Sequence, residues 1–221
     1  VVAAMDINDR ELKKVIDEIL NEGFSAKGWK IDLSDGDAIS STIDEIASHF
    51  GGIDILVNNA GISIFSPIDG DEFLEAWNKS LSVLLTAHAL TIRAALPYLR
   101  KAKDARIINI ASTEALGATK YNSSYSAAKS GVVGLTRSLA VELGGEAITV
   151  NCICPGPIRT GMTEAIPEEQ KEMFAKRRTA LKRYAEPEEV AHAILSLALP
   201  ASQYITGVTL PVDGGLTIRN A

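Results

Sequence analysis

The order of apolar and amphipathic stretches constrains this chain more than any other feature. Residues 1–7 (Val-Val-Ala-Ala-Met-Asp-Ile) read as a buried strand ending at Asp6, and residues 9–21 follow with Leu12, Ile16, Ile19 and Leu20 at helical spacing. Residues 28–33 form a shorter strand closed by Ser34-Asp35, and residues 39–50 a helix with Ile43, Ile46 and Ala47 inward. Gly51-Gly52 stops that helix, as glycines do past a helix end. The apolar run 53–57 is then a strand leading into Asn58-Asn59-Ala60-Gly61. The alternation continues with a helix near 71–100, a strand at 105–111, a helix at 123–143 and a strand at 147–154. Helical pieces near 168–183 and 187–199 and a closing segment 207–213 complete it. Strands that alternate with helices pair in parallel through right-handed crossovers, so the expected class is α/β, a doubly wound parallel sheet. No repeat, low-complexity segment or linker interrupts the pattern, which makes residues 1–221 a single domain.

Composition excludes several functions. With 46% hydrophobic and 23% charged residues the chain has an ordinary globular balance. A formal charge of −6 offers no broad basic surface, so no nucleic-acid partner is expected. Cys152 and Cys154 stand two apart on one strand, face the same side and do not readily bridge. His49, His88 and His192 are scattered, so no metal is expected, and each reads as a helix-surface or packing residue. No run of about 18 apolar residues is apparent, so no membrane span is expected. The absence of a visible signal peptide and the cysteine usage point to a cytoplasmic setting.

Chemistry concentrates between Ser112 and Lys129. The strand at 105–111 delivers Ser112 at its carboxyl end, where open α/β sheets place their ligands. Tyr125 and Lys129 stand four apart at the start of the next helix and share one face. A tyrosine's ordinary value near 10 is too high for a base at neutral pH, and an ammonium one turn away favours the phenolate. The Ser112 hydroxyl can hold the same substrate oxygen while its charge changes. The trio suits proton transfer at an alcohol or ketone oxygen.

Ser112, Tyr125-x-x-x-Lys129, Asn58-Asn59-Ala60-Gly61 and Pro155-Gly156 together resemble the motifs of the short-chain dehydrogenase/reductase family, classical type, over the whole chain. The resemblance implies a Rossmann-like fold and an oxidoreductase that moves hydride between a nicotinamide cofactor and a secondary alcohol or ketone. It implies Ser112, Tyr125 and Lys129 as the catalytic residues. On the cofactor side it implies Asp6, Asp32, Asn58, Ala60, Gly61, Pro155, Gly156, the Ile158 backbone and the Thr160 hydroxyl, together with Tyr125 and Lys129. A carboxylate at Asp6 accepts ribose hydroxyls and repels a 2′-phosphate, favouring NAD over NADP. Asp6 can equally be a capping or turn residue, and Asp32 an Asx turn. Glu114, Ala115, Tyr121, Ile64 and Phe65 are expected to border the substrate, with residues 162–178 as a lid. The lid charges Glu164, Glu168, Glu169, Lys171 and Glu172 each read as a solvated helix face. Apolar Ile64 and Phe65 point to a hydrophobic or cyclic substrate. Apolar faces on residues 81–99 and 132–143 imply a homodimer or homotetramer.

Two departures stand out. The family's Gly-x-x-x-Gly-x-Gly turn, with its strand and helix, is absent. The expectation is that roughly 30 residues, one βα unit, precede Val1 in the natural protein and place a strand between residues 1–7 and 53–57; the alternative is a truncated chain with a different fold. Leu84 occupies the position of the family's catalytic Asn and can form no hydrogen bond. That opens a second reading, a catalytically impaired member serving as a binding or scaffolding subunit.

Overall fold

A computed structural model describes residues 1–220. Its strands are β1 (Val2–Asp6), β2 (Ala26–Lys30), β3 (Ile55–Asn58), β4 (Arg106–Ile110), β5 (Thr149–Pro155) and β6 (Thr209–Val212). Its α-helices are α1 (Asp9–Asn21), α2 (Gly36–Phe50), α3 (Phe73–Leu81), α4 (Ala87–Leu99), α5 (Ser123–Leu143), α6 (Glu168–Arg178) and α7 (Pro187–Ala198). The helix starts follow local chemistry. The Asn8 side chain accepts from the Arg10 and Glu11 amides to open α1, and Asp35 accepts from Asp37 and Ala38 to open α2. Because Asp35 caps there, α2 starts before the expected residue 39, and β2 ends at Lys30 rather than 33.

All strand pairing is parallel, in two sheets: β1 with β2, and β3-β4-β5-β6 in that order. Among the described residues no ladder joins β1 to β3, and each has a partner along one edge only. The expected single sheet is therefore divided between the two strands that the sequence reading left unpartnered. Val2, Ile55 and Val57 are exposed there.

The four-stranded sheet is buried on both faces. Ile107 and Val150 pack with Leu56 and with Ile39, Ile43, Ile92 and Leu99 from α2 and α4. Their neighbours Ile108, Ile110 and Ile153 point the other way, onto Val190 and Leu197 of α7. This two-sided burial is why β4 and β5 read as continuous apolar runs. Arg106, Thr149 and Asn151 are buried polar residues of these strands, and Asn109 is another. Its amide donates to Thr136 Oγ1 (3.0 Å), and its oxygen accepts from Asn58 Nδ2 (2.9 Å), whose own oxygen accepts from Thr91 Oγ1 (2.7 Å). This buried layer ties α4, β3, β4 and α5 together.

The helix expected near 71–100 is interrupted. A π-helical segment, Ser82–Thr86, joins α3 to α4. The whole stretch Phe73–Leu99, with a mean hydropathy of 1.3, is long and apolar enough to cross a membrane by length and composition. That corrects the sequence reading, which found no such run. Its apolar residues serve packing instead: α4 lies against α2 and β3, and α3 and the π segment lie against α5.

Candidate active site

The carboxyl ends of the strands carry the site. Ser112 follows β4 in extended backbone (φ −170°), and its Oγ accepts from the Glu114 amide (3.2 Å). Helix α5 starts beyond a loop in which Tyr121 adopts a left-handed conformation (φ 67°) and its carbonyl accepts from the Ser66 amide (2.8 Å). One turn of α5 separates Tyr125 from Lys129, and the Lys129 Nζ lies 5.8 Å from the Tyr125 ring centre. Lys129 is buried and donates to the Ile110 carbonyl (2.7 Å), anchoring α5 to the end of β4. The structure thus brings Ser112, Tyr125 and Lys129 together.

Their electrostatics differ from the sequence expectation. Burial pushes the Tyr125 phenol above its ordinary value; the adjacent Ser112 hydroxyl lowers it, and Glu114 adds to the rise. Burial also lowers Lys129 to about 8. The expectation that Lys129 draws the phenol down is therefore corrected. The ammonium is desolvated and donates to a backbone carbonyl, and burial dominates both groups.

Glu114 acts as a clamp rather than as plain pocket lining. It accepts from the Thr119 amide (2.8 Å), the Thr119 hydroxyl (2.8 Å) and the Ser126 hydroxyl (3.1 Å), so it fixes the loop between Ser112 and Tyr125. Ala115 is partly buried beside it, while Phe65 is 61% exposed and Ile64 partly buried.

The cofactor-side residues separate into two groups. Asp6, at the end of β1, is exposed and accepts from the Asn8 amide (2.8 Å); Asn8, not Asp6, caps α1. Asp32 accepts from the Ser34 amide (2.8 Å) and hydroxyl (2.7 Å), the Asx turn allowed for, and lies 3.7 Å from the Lys79 Nζ. The Ser34 bonds, ahead of Lys79, hold its carboxyl below the usual value. Asn58 is corrected. Alternation along β3 turns its side chain inward with Leu56, onto Asn109 and Thr91, so only its backbone faces the strand end. Ala60 is partly buried and Gly61 exposed just beyond, and a Cβ on Gly61 would meet the buried Leu84 at 3.5 Å.

After β5, Pro155 and Gly156 turn the chain. A Cβ on Gly156 would lie 2.7 Å from the Asp213 Cα, so this glycine permits close backbone approach. Ile158 is buried and bridges Ala185; Thr160 is exposed. Between them Arg159 pairs with Glu168 at the start of α6 and with Glu186 (3.3 Å) before α7. Two of the charges read as a solvated face depart from it: Glu168 is latched to the loop after β5, and Lys171 is buried. Arg159 was silent in the sequence because its partners lie on separate elements. Asn109, inside Ile-Ile-Asn-Ile, did carry a signal.

The donor set fits a nicotinamide dinucleotide. An exposed carboxylate ends β1, backbone and glycine end β3, and hydroxyl, phenol and ammonium gather at β4 and α5. No described segment bridges β1 and β3 between these groups.

Comparison with known proteins agrees with this geometry. The family model described as Enoyl-(Acyl carrier protein) reductase matches residues 1–217. The chain is 36% identical to 3-oxoacyl-[acyl-carrier-protein] reductase of Thermotoga maritima, over 98% of this chain and 87% of that protein. It belongs to the short-chain dehydrogenase/reductase family. It is also 40% identical to 3-alpha-(or 20-beta)-hydroxysteroid dehydrogenase of Mycobacterium bovis, over 95% of this chain and 77% of that one. Among solved structures, carveol dehydrogenase from Mycobacterium avium in complex with NAD superposes with a TM-score of 0.92 at 26% identity, covering 98% of this chain and 88% of its own. A blue fluorescent protein from a metagenomic library in complex with NADPH gives 0.88 at 32% identity, covering 97% and 86%. As a member of this family the chain is an oxidoreductase of Rossmann-like fold.

Proposed function

We propose that the protein transfers hydride between NAD and the carbinol or carbonyl carbon of a secondary alcohol or ketone. The observation that carries this is the convergence of Ser112, Tyr125 and Lys129 at the end of β4. When bound, the nicotinamide ring supplies or accepts the hydride. Ser112 holds the substrate oxygen, Tyr125 gives it a proton in reduction and takes one in oxidation, and Lys129 supplies positive charge beside the phenol. Asp6, Asp32, Ala60, Gly61, Pro155, Gly156, Thr160 and the backbones of Asn58 and Ile158 hold the cofactor. The exposed Asp6 carboxylate supports NAD over NADP, because a 2′-phosphate would meet like charge.

The exposed Phe65 and Met162 support an apolar, bulky or cyclic substrate. Val141 on α5 is 86% exposed, which supports a homodimer or homotetramer built on that helix. The buried Leu84, which carries no polar atom, favours a second reading, the impaired member kept as a binding or scaffolding subunit. One assay separates them: a panel of cyclic and acyclic ketones with NADH and with NADPH, for the wild type and for Tyr125→Phe. The expected result is turnover with NADH, with kcat reduced by about 10³-fold or more in Tyr125→Phe and an unchanged melting temperature. Cofactor binding without turnover supports the scaffolding reading, and full activity in Tyr125→Phe overturns the proton-donor assignment.

A further inference from the structure

Three segments meet at Gly61, just past the end of β3, and the side chain that one of them brings has no part in the mechanism above. A Cβ on Gly61 would lie 3.5 Å from Leu84 Cδ2 of the π segment and 3.9 Å from Met162 Cε. Met162 stands on a short 3₁₀ turn, Gly161–Thr163, beyond β5. That turn is fixed on its own stem. Thr163 Oγ1 accepts from the Thr160 amide (3.1 Å) and donates to the Ile158 carbonyl (2.8 Å). Met162 therefore starts from the β5 side of the sheet and ends on the β3 side. The order there is β3-β4-β5, so the turn and its side chain together cross two strand spacings of about 4.8 Å each. Between them lies the carboxyl end of β4, which carries Ser112. Met162 is 51% exposed: its tip rests on Gly61, and the rest of the arm is open.

The loop that leaves Gly61 carries Ile64 and Phe65 and is pinned at both ends. At its far end the Ser66 amide donates to the Tyr121 carbonyl (2.8 Å), a bond between two backbones. At its near end the pin is apolar contact, with the buried Leu84 on one side and the Met162 tip on the other. An unbranched thioether arm is the softest of these contacts and adapts to what lies against it. We propose that Met162 is a specificity-determining residue: its side chain is the adjustable wall of the substrate space beside Ser112, and its length sets how large a group the reacting carbon can carry. The class this wall suits is the cyclic ketone with an apolar body. A single ring passes beneath the full-length arm, and a fused ring system meets it.

This inference rests on the reductase reading, so its test has one arm without turnover. The kinetic arm measures kcat/KM with NADH for cyclohexanone and for the fused-ring 2-decalone. In Met162→Ala the ratio of the second to the first is expected to rise about tenfold over wild type. Met162→Leu, which nearly conserves volume, is expected to keep the wild-type ratio. A ratio unmoved in Met162→Ala, or an equal change for both ketones, overturns the proposal in favour of plain packing. The binding arm uses Tyr125→Phe with NAD and labelled methionine methyls. The chain has three methionines, so the Met162 signal is assigned by its loss in Met162→Leu. On adding 2-acetonaphthone the naphthalene ring is expected to shift the Met162 methyl and to leave Met5 in place. An unmoved Met162 methyl overturns the proposal even in an active enzyme. A shifted one, in a protein that reduces neither ketone, supports this wall and overturns the reductase reading.

Discussion

Lys129 shows how one buried charge links site and stability. Its folded value of about 8 lies below the ordinary 10.5 because burial penalises the ammonium. Below pH 8 both folded and unfolded chains carry the proton, and the folded state bears the penalty in full. Between pH 8 and 10.5 the unfolded chain binds more protons, so this group's contribution rises with pH. Urea unfolding should therefore show the wild type gaining roughly 3 kcal/mol relative to Lys129→Met across that window. A constant difference would mean that the ammonium is hydrated in solution. Tyr125 is raised rather than lowered in the same setting, because the spacing of Tyr125 and Lys129 places them on one face and says nothing of how burial acts on them.

Helices and strands here are held in register by a polar layer as well as by apolar contact. Asn109 satisfies Asn58 from one side and donates to Thr136 from the other, joining α4, β3, β4 and α5 at the level of the site. Asn109→Leu keeps the volume but strands the Asn58 amide, and is expected to cost about 2–4 kcal/mol, read as a fall in the urea midpoint. If stability is retained, the layer is dispensable. The π segment Ser82–Thr86 belongs to the same scale. It sets Leu84 against Gly61 and His88 in the interior, and π-helical turns of this kind recur at functional sites.

At the scale of the molecule the division between the two sheets dominates. β4 has partners on both edges and helices on both faces, whereas β1 has β2 on one edge and exposed Val2 on its surface. Local opening follows such differences. Amide hydrogen exchange of this chain should be on the order of 100-fold faster in β1 and β2 than in β4 and β5. Uniform protection would show that β1 is held by more than its ladder. Helix α6 differs again, because the exposed Arg159–Glu168 pair ties its start while Lys171 and Ala175 are buried further along it.

Element identity was legible because burial on two faces writes continuous apolar strands, and burial on one face writes helical periodicity. Helices α1 and α5 lie where the periodicity put them, and β4 and β5 within about two residues of it. The trio Ser112, Tyr125 and Lys129 was legible for a related reason: two members share one helix face, and the third ends a strand, so local geometry nearly places them. Contacts between distant segments left no such trace. The inward turn of Asn58, the Glu114 clamp, the Arg159 latch and the sealed ring of His88 each depend on which element lies alongside. Periodicity fixes which way a side chain points along its own element; only the assembled chain decides what it meets there, and whether water reaches it.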